Sequence, residues 1–234
     1  MNNLFGSNPK LKILPREVDL KKKWENKNNK VTVNESQFSL VINEEEEKSF
    51  QQNQFSNQEE LRKYQHYRNE WYRRAKEFDH GNAPLAVTIE LVSTCNLGCN
   101  MCYTISEEFQ SSVVGSTRML PWPIVKNAID ECSDIGVYSI LFSWRGESSL
   151  YRYKNEDGSV ITFTDVLSYA VSKGILEVTC LTHGQNFSDE LCENLVKAQP
   201  NWINLSIDGL SNNYNKLRTP KNKKNDKSYD AFEK

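Results

Sequence analysis

Three of the six cysteines fall in one short run, Ser93-Thr94-Cys95-Asn96-Leu97-Gly98-Cys99-Asn100-Met101-Cys102-Tyr103, with the spacing C-x3-C-x2-C. Thiolates this close on one loop can wrap a cube of iron and sulfur, and a [4Fe–4S] cluster normally takes four cysteines. Three leave one iron open to a substrate, as an open coordination position does in any catalytic metal centre. Gly98 gives the loop freedom to turn, and Met101 supplies an apolar contact beside the cluster. A structural zinc site is the minor alternative, but zinc takes four protein ligands, usually as two pairs of the C-x2–4-C or H-x3–5-H kind. Cys132, Cys180 and Cys192 stand singly in regular elements, and His66 and His80 belong to a preceding helical stretch, so no second pair is present.

The elements around this run alternate strand and helix. Leu85–Val92 places Val87, Ile89 and Leu91 on one face, a strand that leads directly into the cysteines. Pro121–Ile135 reads as a helix with Trp122, Val125, Ile129 and Cys132 on one side, closed by Gly136. Val137–Phe142 is a strand, and Tyr151–Phe163 holds Asn155-Glu156-Asp157-Gly158, a hairpin-like insertion. Thr164–Lys173 is a helix ended by Gly174, Leu176–Leu181 a strand, Ser188–Ala198 a helix and Trp202–Ile207 a strand. Strands separated by helices of this length build parallel βαβ units, so the fold class is α/β with four parallel strands. Polar groups follow each strand: the cysteines, then Gly146 and Glu147, then Thr182 and His183, then Ser206 and Asp208, with Arg218 beyond. Successive strand ends on one side are where α/β ligand sites lie.

Ahead of this region, Leu61, Tyr64, Arg68, Trp71, Ala75 and Phe78 recur at alternating spacings of three and four, one face of a helix over 57–82. Asn57 caps its start, Glu70 and Arg74 form an i,i+4 pair, and Gly81 ends it. The aromatic stripe is read as a docking face for the following domain. Residues 1–56, rich in Asn, Lys, Glu and Gln with an acidic run Glu44–Glu47, read as a polar, largely disordered extension. The short apolar piece Phe38–Ile42 is the part of it suited to pairing.

Composition sets the outer bounds. Twenty-nine Lys and Arg against 31 Asp and Glu give a net charge of −2, which offers nothing to nucleic acid or to an anionic membrane. Mean hydropathy is −0.68, low for one packed domain and consistent with a polar segment diluting a normal core. No apolar run approaches the roughly 18–20 residues of a membrane span, and the start MNNLFGSNPKLK lacks the apolar stretch of a secretory signal. A cytoplasmic location is expected, where clustered cysteines suggest metal or catalysis before disulfides.

The cysteine run at the end of the first strand, with an apolar residue before its last cysteine, resembles the signature of the radical S-adenosylmethionine (SAM) superfamily. Further segments add to the likeness over residues 83–220. Trp144-Arg145-Gly146-Glu147 resembles the family's GGE motif, departing from it at Arg145 and again at Ser148, where proline often follows. Thr182-His183-Gly184 resembles its Thr-Asn-Gly segment, with His183 for asparagine. Ile203-Asn204-Leu205-Ser206-Ile207-Asp208-Gly209, followed by Tyr214 and Arg218, resembles the peptide-modifying, sulfatase-maturase-like branch whose members often carry a SPASM extension.

The resemblance implies a [4Fe–4S] cluster on Cys95, Cys99 and Cys102 whose open iron binds S-adenosylmethionine. One electron then cleaves the sulfonium to a 5′-deoxyadenosyl radical that abstracts a substrate hydrogen. It implies contacts to S-adenosylmethionine from Gly146, Glu147, Thr182, Ser206, Asp208 and Arg218, with strand-end carbonyls taking its amino group and Arg218 its carboxylate. His183 and Asp208 are the candidates for catalytic roles. Implied partners are a flavodoxin- or ferredoxin-type electron donor and a peptide or protein substrate. A family barrel usually has six βα units, so 83–234 is expected to be the N-terminal part of a partial (β/α) barrel. Expressed alone, such a chain is expected to be poorly soluble and to make no 5′-deoxyadenosine. The alternative function is a catalytically incompetent cluster-binding or interaction fragment.

Overall fold

The computed structural model describes residues 31–33, 41–43, 49, 51, 55, 57–109, 111, 119–209 and 211–221. Most of the extension expected over 1–56, including Glu44–Glu47, lies outside the described residues, as does the polar tail after Lys221 with its expected helix start at Tyr229–Phe232. The chain divides into two compact units, Met1–Leu61 and Arg62–Lys234. In the first, β1 (Val31–Val33) pairs antiparallel with β2 (Val41–Asn43), Val31 opposite Asn43. The Val41–Ile42 part of the piece suited to pairing thus pairs with β1, while residues 38–40 lie outside the described residues.

Helix α1 runs Gln58–Glu77, and Asn57 Oδ1 accepts from the Glu60 N–H at 2.8 Å, closing one of the open donors of the first turn. Its buried face differs from the stripe expected. Tyr64 and Tyr67 are buried, whereas Phe78 is 79% exposed with φ +55°, already beyond the helix. The helix thus stops at Glu77 rather than at Gly81. Tyr67 takes the docking role because its ring stacks on Tyr138 at 5.4 Å and its hydroxyl donates to Glu177 at 3.3 Å.

The second unit is built on a four-stranded, wholly parallel sheet in the order β3-β4-β7-β8. Strand β3 is Ala86–Thr88, β4 Ser139–Phe142, β7 Glu177–Thr182 and β8 Trp202–Leu205. Helices α2 (Trp122–Asp134), α3 (Phe163–Ser172) and α4 (Asp189–Ala198) make the crossovers. Between β4 and α3 an antiparallel hairpin, β5 (Arg152–Lys154) and β6 (Val160–Thr162), turns at Asn155–Gly158 as the sequence predicts. A last helix, α5, spans Ser211–Leu217.

The core lies between sheet and helices. Val125 and Ile129 of α2, Val166 and Leu167 of α3, and Leu195 of α4 pack with Ile140, Phe142, Val178 and Cys180 of the strands. Each fully buried side chain of this kind contributes about 1.5–3 kcal/mol. Strand β3 is shorter than the eight-residue alternation suggests. Ile89 N still donates to Leu141 O at 2.9 Å, but the chain then leaves the sheet, and Val92 bridges Met119 antiparallel. That departure delivers the cysteine run to the carboxyl ends of the strands.

Candidate functional site

The cysteine loop is held from two sides. On one, the end of α5 and the segment after it lie along the loop: Gly98 N donates to Thr219 O at 2.7 Å, Asn100 N to Leu217 O at 3.0 Å and Lys221 N to Asn96 O at 2.9 Å. The Asn100 side chain adds a bond to Lys216 O at 2.8 Å, and Leu97 bridges Pro220. A loop with no regular structure of its own thereby satisfies its backbone groups, as a partly buried segment must. On the other side, Glu147 N donates to Thr94 O at 2.9 Å, which ties the loop's entry to the end of β4.

Gly146 explains why that end can come so close. Its φ is +45°, and an added Cβ would stand 2.2 Å from Val92 O and 2.6 Å from Thr94 O. Only glycine accepts both the left-handed backbone and the missing space. The two departures from the motif also have structural reasons. Arg145 donates to Glu90 by Nε at 2.6 Å and by Nη2 at 2.8 Å, a bidentate pair, while its guanidinium lies 5.5 Å over the Phe109 ring. Ser148 donates to Phe142 O at 2.8 Å, a bond that proline cannot make, and opens a short 3₁₀ turn, Ser148–Leu150.

These constraints leave a cavity of about 300 Å³ at the strand ends. Cys95, Cys99 and Cys102 line it together with Gly146, Glu147, Thr182, His183, Ser206 and Arg218. Asp208 stands beside it and accepts from Arg218 Nε at 2.5 Å. Arg218 is carried there by α5, whose Tyr214 is fully buried and accepts at its hydroxyl from Gln185 Nε2 at 3.1 Å. All the residues singled out in the sequence thus meet in one place.

Glu147 is 2% exposed, yet its carboxylate is well provided for. It accepts from Ser149 N (3.2 Å), Ser149 Oγ (2.6 Å), Thr182 Oγ1 (2.5 Å) and His183 N (3.0 Å). Such bonds are what makes a buried carboxylate tolerable. His183, 4% exposed, accepts at Nδ1 from Gln185 N (3.0 Å) and meets Asn96 Oδ1 at Nε2 (2.8 Å). Nε2 also lies 3.3 Å from Glu147 Oε2. Burial lowers the His183 pKa below the usual imidazole value and outweighs the opposing pull of Glu147. Asn96, Ser149, Asn186 and Glu90 are the site residues that sequence reasoning misses; a lone Asn or Ser in a loop carries no pattern until the fold supplies its partner.

Three free cysteines border one cavity, with Cys102 Sγ 2.9 Å from Thr104 Oγ1 and Cys95 Sγ accepting from Leu97 N at 3.4 Å. Among the described residues, no three Cys, His, Asp or Glu groups stand together as the ligands of a single ion do. Ligands to different corners of a cluster need not converge on one point, and the thiol chemistry fits. Burial pushes the Cys95 thiol up to about 11 and raises Cys99 as well, so any metal bound through them would have to displace protons.

Residues 89–234 match a family model, that of the radical SAM superfamily. The chain is 27% identical over 135 residues to the Sporulation killing factor maturation protein SkfB of Bacillus subtilis (strain 168), covering 58% of this chain and 29% of that protein. It therefore spans under a third of that relative's length. Among solved structures, Streptococcus suis SuiB bound to precursor peptide SuiA gives a TM-score of 0.46 at 20% identity, covering 67% of this chain and 32% of that one. Native anSMEcpe with bound AdoMet gives a TM-score of 0.46 at 18% identity, covering 64% and 40%.

Proposed function

This chain belongs to the radical SAM superfamily, and from that premise we propose that it holds a [4Fe–4S] cluster on Cys95, Cys99 and Cys102 and cleaves S-adenosylmethionine reductively to start hydrogen abstraction. The observation that carries the proposal is that three cysteines of one loop and the polar ends of β4, β7 and β8 line one cavity. When bound, the cluster supplies the electron that breaks the sulfonium bond, so that a 5′-deoxyadenosyl radical takes a hydrogen atom from the substrate.

The chain's own residues divide the remaining work. Gly146 lets the end of β4 press against the cysteine loop, and strand-end carbonyls take the methionyl ammonium. Arg218, held at Nε by Asp208, keeps its two terminal nitrogens for the methionyl carboxylate, a fork well shaped for two oxygens. Ser206 offers a further hydrogen bond from the end of β8. Glu147 and Thr182 act by shaping the wall, since their bonds are to each other and to neighbouring groups. His183 and Asp208, candidates for catalytic roles by sequence, are engaged with Asn96 and Arg218 respectively.

A peptide or protein is the substrate class, supported by the Ile203–Gly209 motif and by the relative's designation as a maturation protein. The electron comes from a flavodoxin- or ferredoxin-type donor, in the cytoplasm. Among the described residues no helix is long and apolar enough to cross a membrane. The test is anaerobic reconstitution of the whole protein containing these residues, followed by iron, sulfide and 5′-deoxyadenosine assays. Cys95→Ala, Cys99→Ala and Cys102→Ala each abolish the cluster and the product, while Cys132→Ala and Cys192→Ala leave cluster content unchanged. Turnover of S-adenosylmethionine that survives Cys99→Ala sinks the proposal.

A further inference from the structure

We propose that His183 is a positioning residue that ties the cysteine loop to the ends of β4 and β7 through Asn96, inside a closed ring of hydrogen bonds. The inference rests on the cluster assignment above for its consequence, but the ring itself stands on geometry alone. Its members are Asn96, His183, Glu147, Ser149 and Asn186. His183 Nε2 meets Asn96 Oδ1 at 2.8 Å, and His183 N donates to Glu147 Oε2 at 3.0 Å. Ser149 Oγ donates to Glu147 Oε1 at 2.6 Å and accepts from Asn186 Nδ2 at 3.0 Å. Asn96 Nδ2 closes the ring on Asn186 Oδ1 at 3.2 Å.

Donor and acceptor logic fixes the histidine's form. Asn96 Oδ1 only accepts, so Nε2 must carry the proton. Gln185 N only donates, so Nδ1 must be bare. His183 is therefore the neutral Nε2–H tautomer, and each amide and hydroxyl in the ring has one consistent orientation. Asparagine, which the superfamily pattern has at this position, has a shorter side chain; the longer imidazole spans to the cysteine loop here. Asn96 adjoins Cys95, so a shift of the ring moves the loop that carries the thiols. Outer-shell partners of metal ligands typically cost about 10–100-fold in metal affinity when removed, and a group that orients the ligand-bearing loop acts in the same way.

The ring can be tested with and without the cluster. The chain has three histidines, so selective ¹⁵N and ¹³C labelling gives a small, assignable set of imidazole signals in the cluster-free protein. The expected result is a His183 spectrum of the Nε2–H tautomer at neutral pH, kept by the Gln185 N–H at Nδ1, whose Nε2–H signal shifts in Asn96→Ala as its acceptor is lost. A charged ring, an Nδ1–H tautomer or a spectrum indifferent to Asn96→Ala overturns the inference. In the reconstituted chain, His183→Phe and Asn96→Ala are each expected to release iron to a chelator at least about tenfold faster than wild type. The double variant is expected to be no faster than either, and His183→Gln, whose amide can still donate to Asn96, to restore retention. Additive effects, or a His183→Gln protein as labile as His183→Phe, contradict it. Asn96→Ala alters a loop residue outside the core, so it still reports if His183→Phe does not fold. A wild-type chain that takes up no iron and sulfide defeats the cluster assignment, and the imidazole spectrum still decides the ring.

Discussion

Gly146 and Arg218 show how much of the site hangs on single side chains. At Gly146 a methyl group would meet two carbonyl oxygens of the 92–94 segment, neither of which can yield without moving the cysteine loop. Gly146→Ala is expected to destabilise the chain by more than about 2 kcal/mol, combining positive-φ strain with the clash. Thermal unfolding of the cluster-free protein measures it, and an unchanged midpoint would show that the approach of β4 to the loop is not tight. Arg218→Lys keeps the charge but loses the fork. Its expected effect is S-adenosylmethionine binding weaker by roughly 1–3 kcal/mol at unchanged iron content. Equal binding in titration calorimetry would remove Arg218 from the site. The spacing of Cys95, Cys99 and Cys102 is local, and a local pattern is legible without a fold. The partners of Glu147 and His183 are not, because Asn96 and His183 are 87 residues apart in sequence.

Among the elements, the parallel strands and their crossover helices follow from alternation and helical periodicity, which are strong over α2, α3 and β7. Periodicity misleads at α1, where it favours a stripe ending at Phe78. The burial of Tyr67 depends on Tyr138 and Glu177, partners that the helix's own sequence does not contain. It misleads again at β3, where the apolar alternation continues after the backbone has left the sheet. The docking of α1 has a pH consequence. Burial, helped by Glu177, raises the Tyr67 pKa to about 12 from 10.0. The folded state therefore keeps the phenol proton that the unfolded state gives up. This contribution is whole below about pH 10, and is lost as pH rises toward 12, by up to roughly 2 kcal/mol. Tyr67→Phe is expected to flatten the fall in denaturant midpoint over that window. The same slope in both proteins would assign the alkaline loss to other groups.

At the scale of the whole molecule, β8 pairs with β7 on one side and, among the described residues, with no strand on the other. Leu205 is 45% exposed and Ile207 51%, an apolar edge of the kind that templates association. Leu205→Lys is expected to lower the light scattering of the expressed chain at equal concentration, and unchanged scattering would place the sticky surface elsewhere. The same edge lies beside the cavity that the three cysteines share with the strand ends, so sheet and site are parts of one arrangement. The proposed cluster on the cysteine loop is what gives that arrangement its chemistry. Iron and acid-labile sulfide in the anaerobically reconstituted chain test this most directly, with the low-temperature EPR spectrum of the reduced protein recorded before and after adding S-adenosylmethionine. About four irons and four sulfides per chain are expected, with a spectrum that changes on adding S-adenosylmethionine and is absent in Cys95→Ala. One zinc per chain without sulfide, or a spectrum indifferent to S-adenosylmethionine, would contradict the account.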